Sequence, residues 1–235
     1  WHLLPALLLA GCARLAATPP TPPHPTAEAR PSPPAPDPLA PIPNPRTPAE
    51  KIINAAKAEA RRGVRYDARY VRLPYPGGDV PRDRGACTDV VIRSLRAAGC
   101  DLQVLIHEDI RRAPRKYVRR EDASIDHRRV PNQIAFLRRH GLALPTSVTG
   151  AAAASWQPGD LVYWHLPGGI DHCGVLSNVR NARGLPLVIH NLSIAVQEDC
   201  LTAFEITDHF RYPVPNRRQP GTRTGRGLSI VRARP

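Results

Sequence analysis

Apolar and polar positions change period partway along this chain. In its first part they recur at helical spacing, and beyond residue 160 they gather into short runs of strand length. Over Cys87–Ala98, Val91, Leu95 and Ala98 fall on one helical face, and Gly99 ends the run. Thr47-Pro48-Ala49-Glu50 reads as an N-cap, a proline at the first helical position and a glutamate at the third, so a helix runs from there to about Arg62 and stops at Gly63. A Tyr-rich extended stretch, Val64–Leu73, and a turn-laden loop, Pro74–Gly85, separate these two helices. A third helix, Asn132–His140, follows Pro131 and ends at Gly141. Asp160–His165, Asp171–Ser177 and Leu185–Asn191 are short apolar runs bounded by Gly, Pro and Asn, which predicts strands. Helices first and a meander of strands afterwards predict an α+β domain over residues 49–213, not alternating βαβ units.

The ends read differently. Leu3–Ala10 is apolar but too short to span a bilayer, and Leu9-Ala10-Gly11-Cys12 resembles the lipobox of bacterial lipoproteins, whose Cys is diacylated. Residues 1–12 are therefore expected to be a truncated lipoprotein signal peptide with Cys12 as the lipidated residue. The chain contains no Met, so the charged start of such a signal is expected upstream. Ala13 is not the Asp associated with inner-membrane retention, which points to an outer-membrane lipoprotein on the periplasmic side. Residues 13–48 are so dense in proline that they predict a linker in polyproline II, reaching roughly 110 Å at ~3.1 Å per residue. From Val214 the chain is Arg-rich and acid-free, a basic tail over residues 214–235.

At 235 residues and 42% hydrophobic, the chain can bury one ordinary core, and a monomer is expected. The net charge of +13 fits an anionic envelope. It does not predict a nucleic-acid partner. Lysine occurs only at Lys51, Lys57 and Lys116, the arginines are scattered, and aromatics are 5% of the chain, so no stacking platform is visible.

Candidate chemistry centres on Cys87. A helix N-terminus supplies partial positive charge and free N–H groups, which stabilise a thiolate and can hold the oxyanion of acyl transfer. By itself this Cys would read as a small buried core residue. Its base comes from the strands. If the hairpin Asp171–Asn191 pairs symmetrically about Asn181, His172 lies opposite His190, close enough for one imidazole to orient the other. Cys87, His172 and His190 then form a nucleophile, base and orienter. A one-residue slip would turn one His to the other face and leave Asn191 as the alternative orienter.

Gln157-Pro158-Gly159-Asp160-Leu161-Val162-Tyr163-Trp164, followed by His172-Cys173-Gly174-Val175, resembles the "PGDLV…HxGI" strands of NlpC-type papain-like hydrolases. A closer resemblance is to the domain-of-unknown-function 1287 family, envelope proteins of that superfamily. It is carried by Val64–Asp67, Tyr75–Pro81, Arg84–Val90, Val104–Asp109, Ile125–Asn132 and Val188–Asn191, and it covers roughly Lys51–Pro213. The resemblance implies a papain-like α+β fold, N-terminal helices packed on a small antiparallel sheet, and cleavage of an amide bond in peptidoglycan peptides by Cys87, His172 and His190 without metal or organic cofactor. It also implies that Tyr66 sits near the oxyanion. Two positions depart from the NlpC pattern. Cys173 replaces an apolar residue and should face away from His172, and Asp89 stands where those enzymes have Gly.

Asp126 and His127 are further cleft candidates, beside the reading of their segment, and of His107-Glu108-Asp109, as ion-paired structural loops. Trp156 and Trp164 are expected in the core. Cys100, Cys173 and Cys200 allow at most one disulfide if Cys87 stays free, with the pairing open. Three rival functions stay in view. One is a metal-dependent hydrolase using His172, His190 and Asp171 or Asp126, which has no tight ligand spacing behind it. Another is a non-catalytic wall-binding lipoprotein. The third is a transferase, since a Cys-His-His triad does not choose its acyl acceptor.

Overall fold

The computed structural model describes residues 37–117 and 121–213. The expected lipobox with Cys12, linker residues 13–36 and the tail 214–235 lie outside the described residues. The described part is α+β: four α-helices and an antiparallel six-stranded sheet.

The first helix, α1 (Pro48–Arg62), starts as its capping residues require. Thr47 Oγ1 accepts from Glu50 N–H at 3.2 Å, and Glu50 Oε2 accepts from Thr47 N–H at 2.8 Å. Gly63 ends it at φ +61°, in the left-handed region. The linker expected up to residue 48 is corrected over residues 37–47, which run against α1. A polyproline-rich chain leaves its carbonyls unpaired. Here Lys57 Nζ donates to Ala40 O and Asn54 Nδ2 to Ile42 O, while Gln197 Nε2 on the sheet edge donates to Pro38 O.

Next come a parallel two-stranded ribbon, β1 (Arg65–Tyr66) and β2 (Arg84–Gly85), then α2 (Cys87–Ala97) and α3 (Leu102–Arg112). α4 (Val130–His140) follows. The loop between β1 and β2 is pinned by Arg93, whose guanidinium bonds Glu59, Asp79 and the carbonyls of Val80, Pro81 and Arg84. The remaining strands are β3 (Leu142–Ala143), β4 (Leu161–Leu166), β5 (Ile170–Arg180), β6 (Pro186–Asn191), β7 (Ala195–Glu198) and β8 (Glu205–Arg211), in sheet order β3-β8-β4-β5-β6-β7.

Strand alternation gives the sheet two apolar faces. Leu161, Tyr163, Cys173, Val175, Ile189 and Phe210 pack under the helices with Ile52, Val91, Leu95 and Phe136. Val162, Trp164, Leu176 and Val188 form the opposite face with Trp156 and Leu201. Trp156 and Trp164 are both core residues, as expected. The turn before β4 is fixed by its aspartate. Asp160 accepts from Arg211 at 2.7 and 2.8 Å, pairs with His209 Nε2 at 3.0 Å, and is fully buried.

The β5–β6 register differs from symmetry about Asn181. The hairpin closes between Arg180 and Pro186, and an irregularity between Leu176 and Arg180 shifts the ladder, so Gly174 and not His172 stands opposite His190. The turn is displaced because Asn181 Oδ1 accepts from the N–H groups of Arg183 and Leu185, closing the loop around Asn181–Leu185. A two-residue offset preserves the face. His172 and His190 still share it.

Candidate active site

The site is assembled at the start of α2. Cys87 is the first helical residue, where the N–H groups of the first turn have no intrahelical partner. Ala86 cannot cap the helix through its side chain. Asp89 does so instead, its Oδ2 accepting from Ala86 N–H at 2.6 Å. This explains the aspartate where a glycine was the pattern. Asp89 is held in turn by the buried Arg128, whose Nε and Nη2 donate to its two oxygens at 2.9 Å each. Arg128 also donates to the carbonyls of Asp67 and Arg69, tying the chain after β1 to the helix start. Gly85 makes room for this clamp. A Cβ there would lie 2.9 Å from that of Asp89.

The Cys87 thiol is 5% exposed and drawn down to about 5. The largest cause is a hydrogen bond from the Cys173 thiol, opposed by burial and reinforced by the hydrogen bond and charge of His172. Cys173 is pushed well above the ordinary thiol range, first by burial and then by Cys87, so it keeps its proton and donates it. It faces away from His172 along the strand, as alternation requires. That direction points it at Cys87. Burial lifts Cys100 to about 11 and Cys200 to about 12, so among the described cysteines Cys87 alone is set up as a thiolate. No disulfide joins the described cysteines, so none of the allowed pairings forms.

His172 Nε2 lies 2.9 Å from His190 Nδ1, and His190 Nε2 lies 2.6 Å from Glu198 Oε1. A carboxylate only accepts, so the His190 proton belongs on Nε2 and its Nδ1 accepts from His172 Nε2–H. That leaves His172 Nδ1 for Cys87. Burial and the charge of His172 lower the His190 pKa, against the pull of Glu198, which keeps His190 a neutral acceptor. His172 also stacks on Trp164, directly opposite on β4, with ring centroids 5.6 Å apart and planes within 16°. Glu198 had no sequence signal. Only the β6–β7 pairing brings it here.

Tyr66 joins the site through β1–β2, where it pairs with Gly85, two residues before Cys87. It lines a cleft of about 370 Å³ with Ala68, Cys87, Thr88, Arg128, Arg129 and Asp171, among others. Burial, followed by the Cys87 and Cys173 thiols, raises its pKa, so the phenol stays protonated as a donor. Asn191 is not the orienter. Alternation turns it away from His190, and its Nδ2 donates to Val64 O and Gly85 O at 3.0 Å each, stapling β6 to the ribbon.

Asp126 and His127 do not line the cleft. Asp126 is buried and bonded by Arg129 Nη1 and Asp122 N–H, and His127 is buried too, which lowers its pKa to about 4. Their neighbours Arg128 and Arg129 take the cleft wall instead. His107-Glu108-Asp109 lies on α3. There Asp109 is bonded by Arg139 and Tyr117 and pairs with His140, and His107 pairs with Glu121. The metal set of His172, His190 and Asp171 or Asp126 is not brought together. The histidines spend facing nitrogens on each other, Asp171 bonds His165 and Asp126 bonds Arg129.

Residues 53–212 match the family described as "Domain of unknown function (DUF1287)". The chain is also similar to the uncharacterized protein YijF of Escherichia coli (strain K12), 44% identical over 167 residues that cover 68% of this chain and 80% of that protein. No solved structure matches the chain.

Proposed function

The chain belongs to the DUF1287 family, and we propose that it is an envelope cysteine hydrolase cleaving amide bonds in the peptides of peptidoglycan. The observation carrying this reading is the relay Cys87–His172–His190–Glu198. A thiol held low at a helix N-terminus meets a histidine whose far nitrogen is engaged by a second histidine. Buried thiols without such a partner are inert. This one is placed beside an open cleft.

In the proposed cycle the Cys87 thiolate attacks the peptide carbonyl carbon. The N–H groups opening α2, with the Tyr66 hydroxyl, stabilise the oxyanion. His172 gives its proton to the leaving amine as the C–N bond breaks, leaving a thioester on Cys87. His172 then takes a proton from water, hydroxide adds to the thioester, and the acid product leaves with the thiolate restored. His190 holds the imidazole ring throughout. Arg129 adds positive charge to the cleft wall, which suits the carboxylates of wall peptides.

The same reading takes the helices-on-sheet arrangement as a papain-like fold of the NlpC type, supported by Cys on a helix followed by His172 and His190 on successive strands. It places the protein on the periplasmic side of the envelope, held by a lipid on Cys12, supported by the lipobox-like Leu9–Cys12. Digestion of purified sacculi by wild type and Cys87→Ala tests the activity. Soluble fragments are expected from the first and not the second, and equal release by both would reject the assignment.

A further inference from the structure

The relay ends beside a thiol, Cys200, that the hydrolytic cycle does not use. His190 and Glu198 sit on adjacent strands, and because Val188 pairs with Glu198 while Val196 pairs with His190, the two side chains are diagonal neighbours on one face. Cys200, two residues beyond Glu198, brings its thiol to the same point. One imidazole nitrogen, one carboxylate oxygen and one sulfur lie within 4.8 Å of one another. Tetrahedral zinc, with bonds of about 2.0–2.3 Å, sets such donors about 3.4–3.7 Å apart, within reach of side-chain adjustment. His190 and Cys200 are buried and Glu198 is exposed, which leaves an entry path and a fourth position for water. The far nitrogen of His190, Nδ1, lies 2.9 Å from His172 Nε2, to which it can donate once zinc holds Nε2, as zinc-ligating histidines do through their other nitrogen.

We propose that His190, Glu198 and Cys200 form a zinc site, and that zinc bound there switches off the Cys87–His172 pair. The second half rests on the hydrolase reading. The logic is tautomeric. In the active arrangement the His190 proton is on Nε2, facing Glu198, and Nδ1 accepts from the His172 imidazolium. Zinc on Nε2 sends that proton to solvent, the Cys200 thiol proton follows as the Zn–S bond forms, and Nδ1 takes up the proton of His172 Nε2. His190 then presents N–H to His172 Nε2, which must accept it. His172 is left a neutral imidazole with only its Nδ1 proton, a far weaker acid for the leaving amine than the imidazolium of the active arrangement.

Zinc titration of Cys87→Ala, which removes the nucleophile as a competing ligand, tests the site without reference to activity. One equivalent is expected to bind, and Co2+ in its place should give a thiolate charge-transfer band. Adding Cys200→Ser or Glu198→Gln should weaken binding at least tenfold and, for Cys200→Ser, abolish the band. Undiminished binding in both double variants would overturn the site. In the wild-type background, stoichiometric zinc should suppress wall digestion reversibly by chelator, whereas Cys200→Ser should digest at the zinc-free rate. Zinc that binds at Cys200 but leaves wild-type digestion unchanged would overturn the switch. Zinc binding lost with Cys200→Ser in a wild type that digests nothing, with or without zinc, would support the site and reject the hydrolase reading.

Discussion

His172 and His190 meet on the diagonal: their facing nitrogens are 2.9 Å apart, although the residue opposite His190 on β5 is Gly174. A direct pair would crowd two imidazoles over the same spot. The diagonal lets them stand nearly perpendicular, with planes at 81°, so that an edge nitrogen of one reaches an edge nitrogen of the other.

That relationship needs a glycine at 174. A Cβ there would lie 2.6 Å from Val188 Cγ1 and 3.2 Å from His190 Cβ. Gly174→Ala is expected to push both side chains off their places and reduce kcat at least tenfold. Gly174→Ala with Val188→Ala should recover part of it. Steady-state turnover of both variants, beside their melting temperatures, checks this.

Loss of His172 should cost ~10²–10⁴-fold in kcat, the usual range for a general acid–base. His190→Ala should cost less, and His190→Gln, which keeps an acceptor for His172, should retain more activity than His190→Ala. Equal activities of the two His190 variants would mean that His190 does not act through His172.

The Cys87 thiol titrates at about 5 where an ordinary thiol titrates near 9. Thiolate, the reactive form, is therefore present above about pH 5 and lost below it. Alkylation of Cys87 by iodoacetamide should show its midpoint there. Cys173→Ala removes the largest stabilising hydrogen bond and should move the midpoint upward. An unmoved midpoint would deny Cys173 its positioning role.

Asp89 and Arg128 are both buried and bonded twice to each other. Removing one partner of such a pair strands the other charge, at a cost of about 3–5 kcal/mol. Asp89→Ala is expected to lose stability of that order in urea denaturation and to free the Ala86 N–H at the start of α2.

Three of the four α-helices, α1, α2 and α4, and the central strands were legible because their apolar spacing and end signals agree, whereas α3 was not, its His107-Glu108-Asp109 having read as a loop. Thr47, Glu50 and Gly63 do in the fold what their types foretold. Cys87 at a helix start and two histidines on one sheet face were legible too. The register was not, since it depends on the Asn181 side chain closing the turn and on the irregularity after Leu176. β8 escaped notice although it lies between β3 and β4, because Asp208, His209 and Arg211 break its apolar pattern. They are tolerated there by pairing with Arg138 and Asp160. Cys173 and Glu198 were hidden for a related reason. Each acts on a residue that only the sheet brings near. The family match assigns no chemistry to any of them.

Cleavage of a wall peptide bond by Cys87 is measured most directly by mass spectrometry of the products from defined muropeptides. Wild type should convert a muropeptide into two fragments whose masses sum to the substrate plus one water, and Cys87→Ala should return it intact. Unchanged substrate with wild type, or the same fragments from Cys87→Ala, would contradict it.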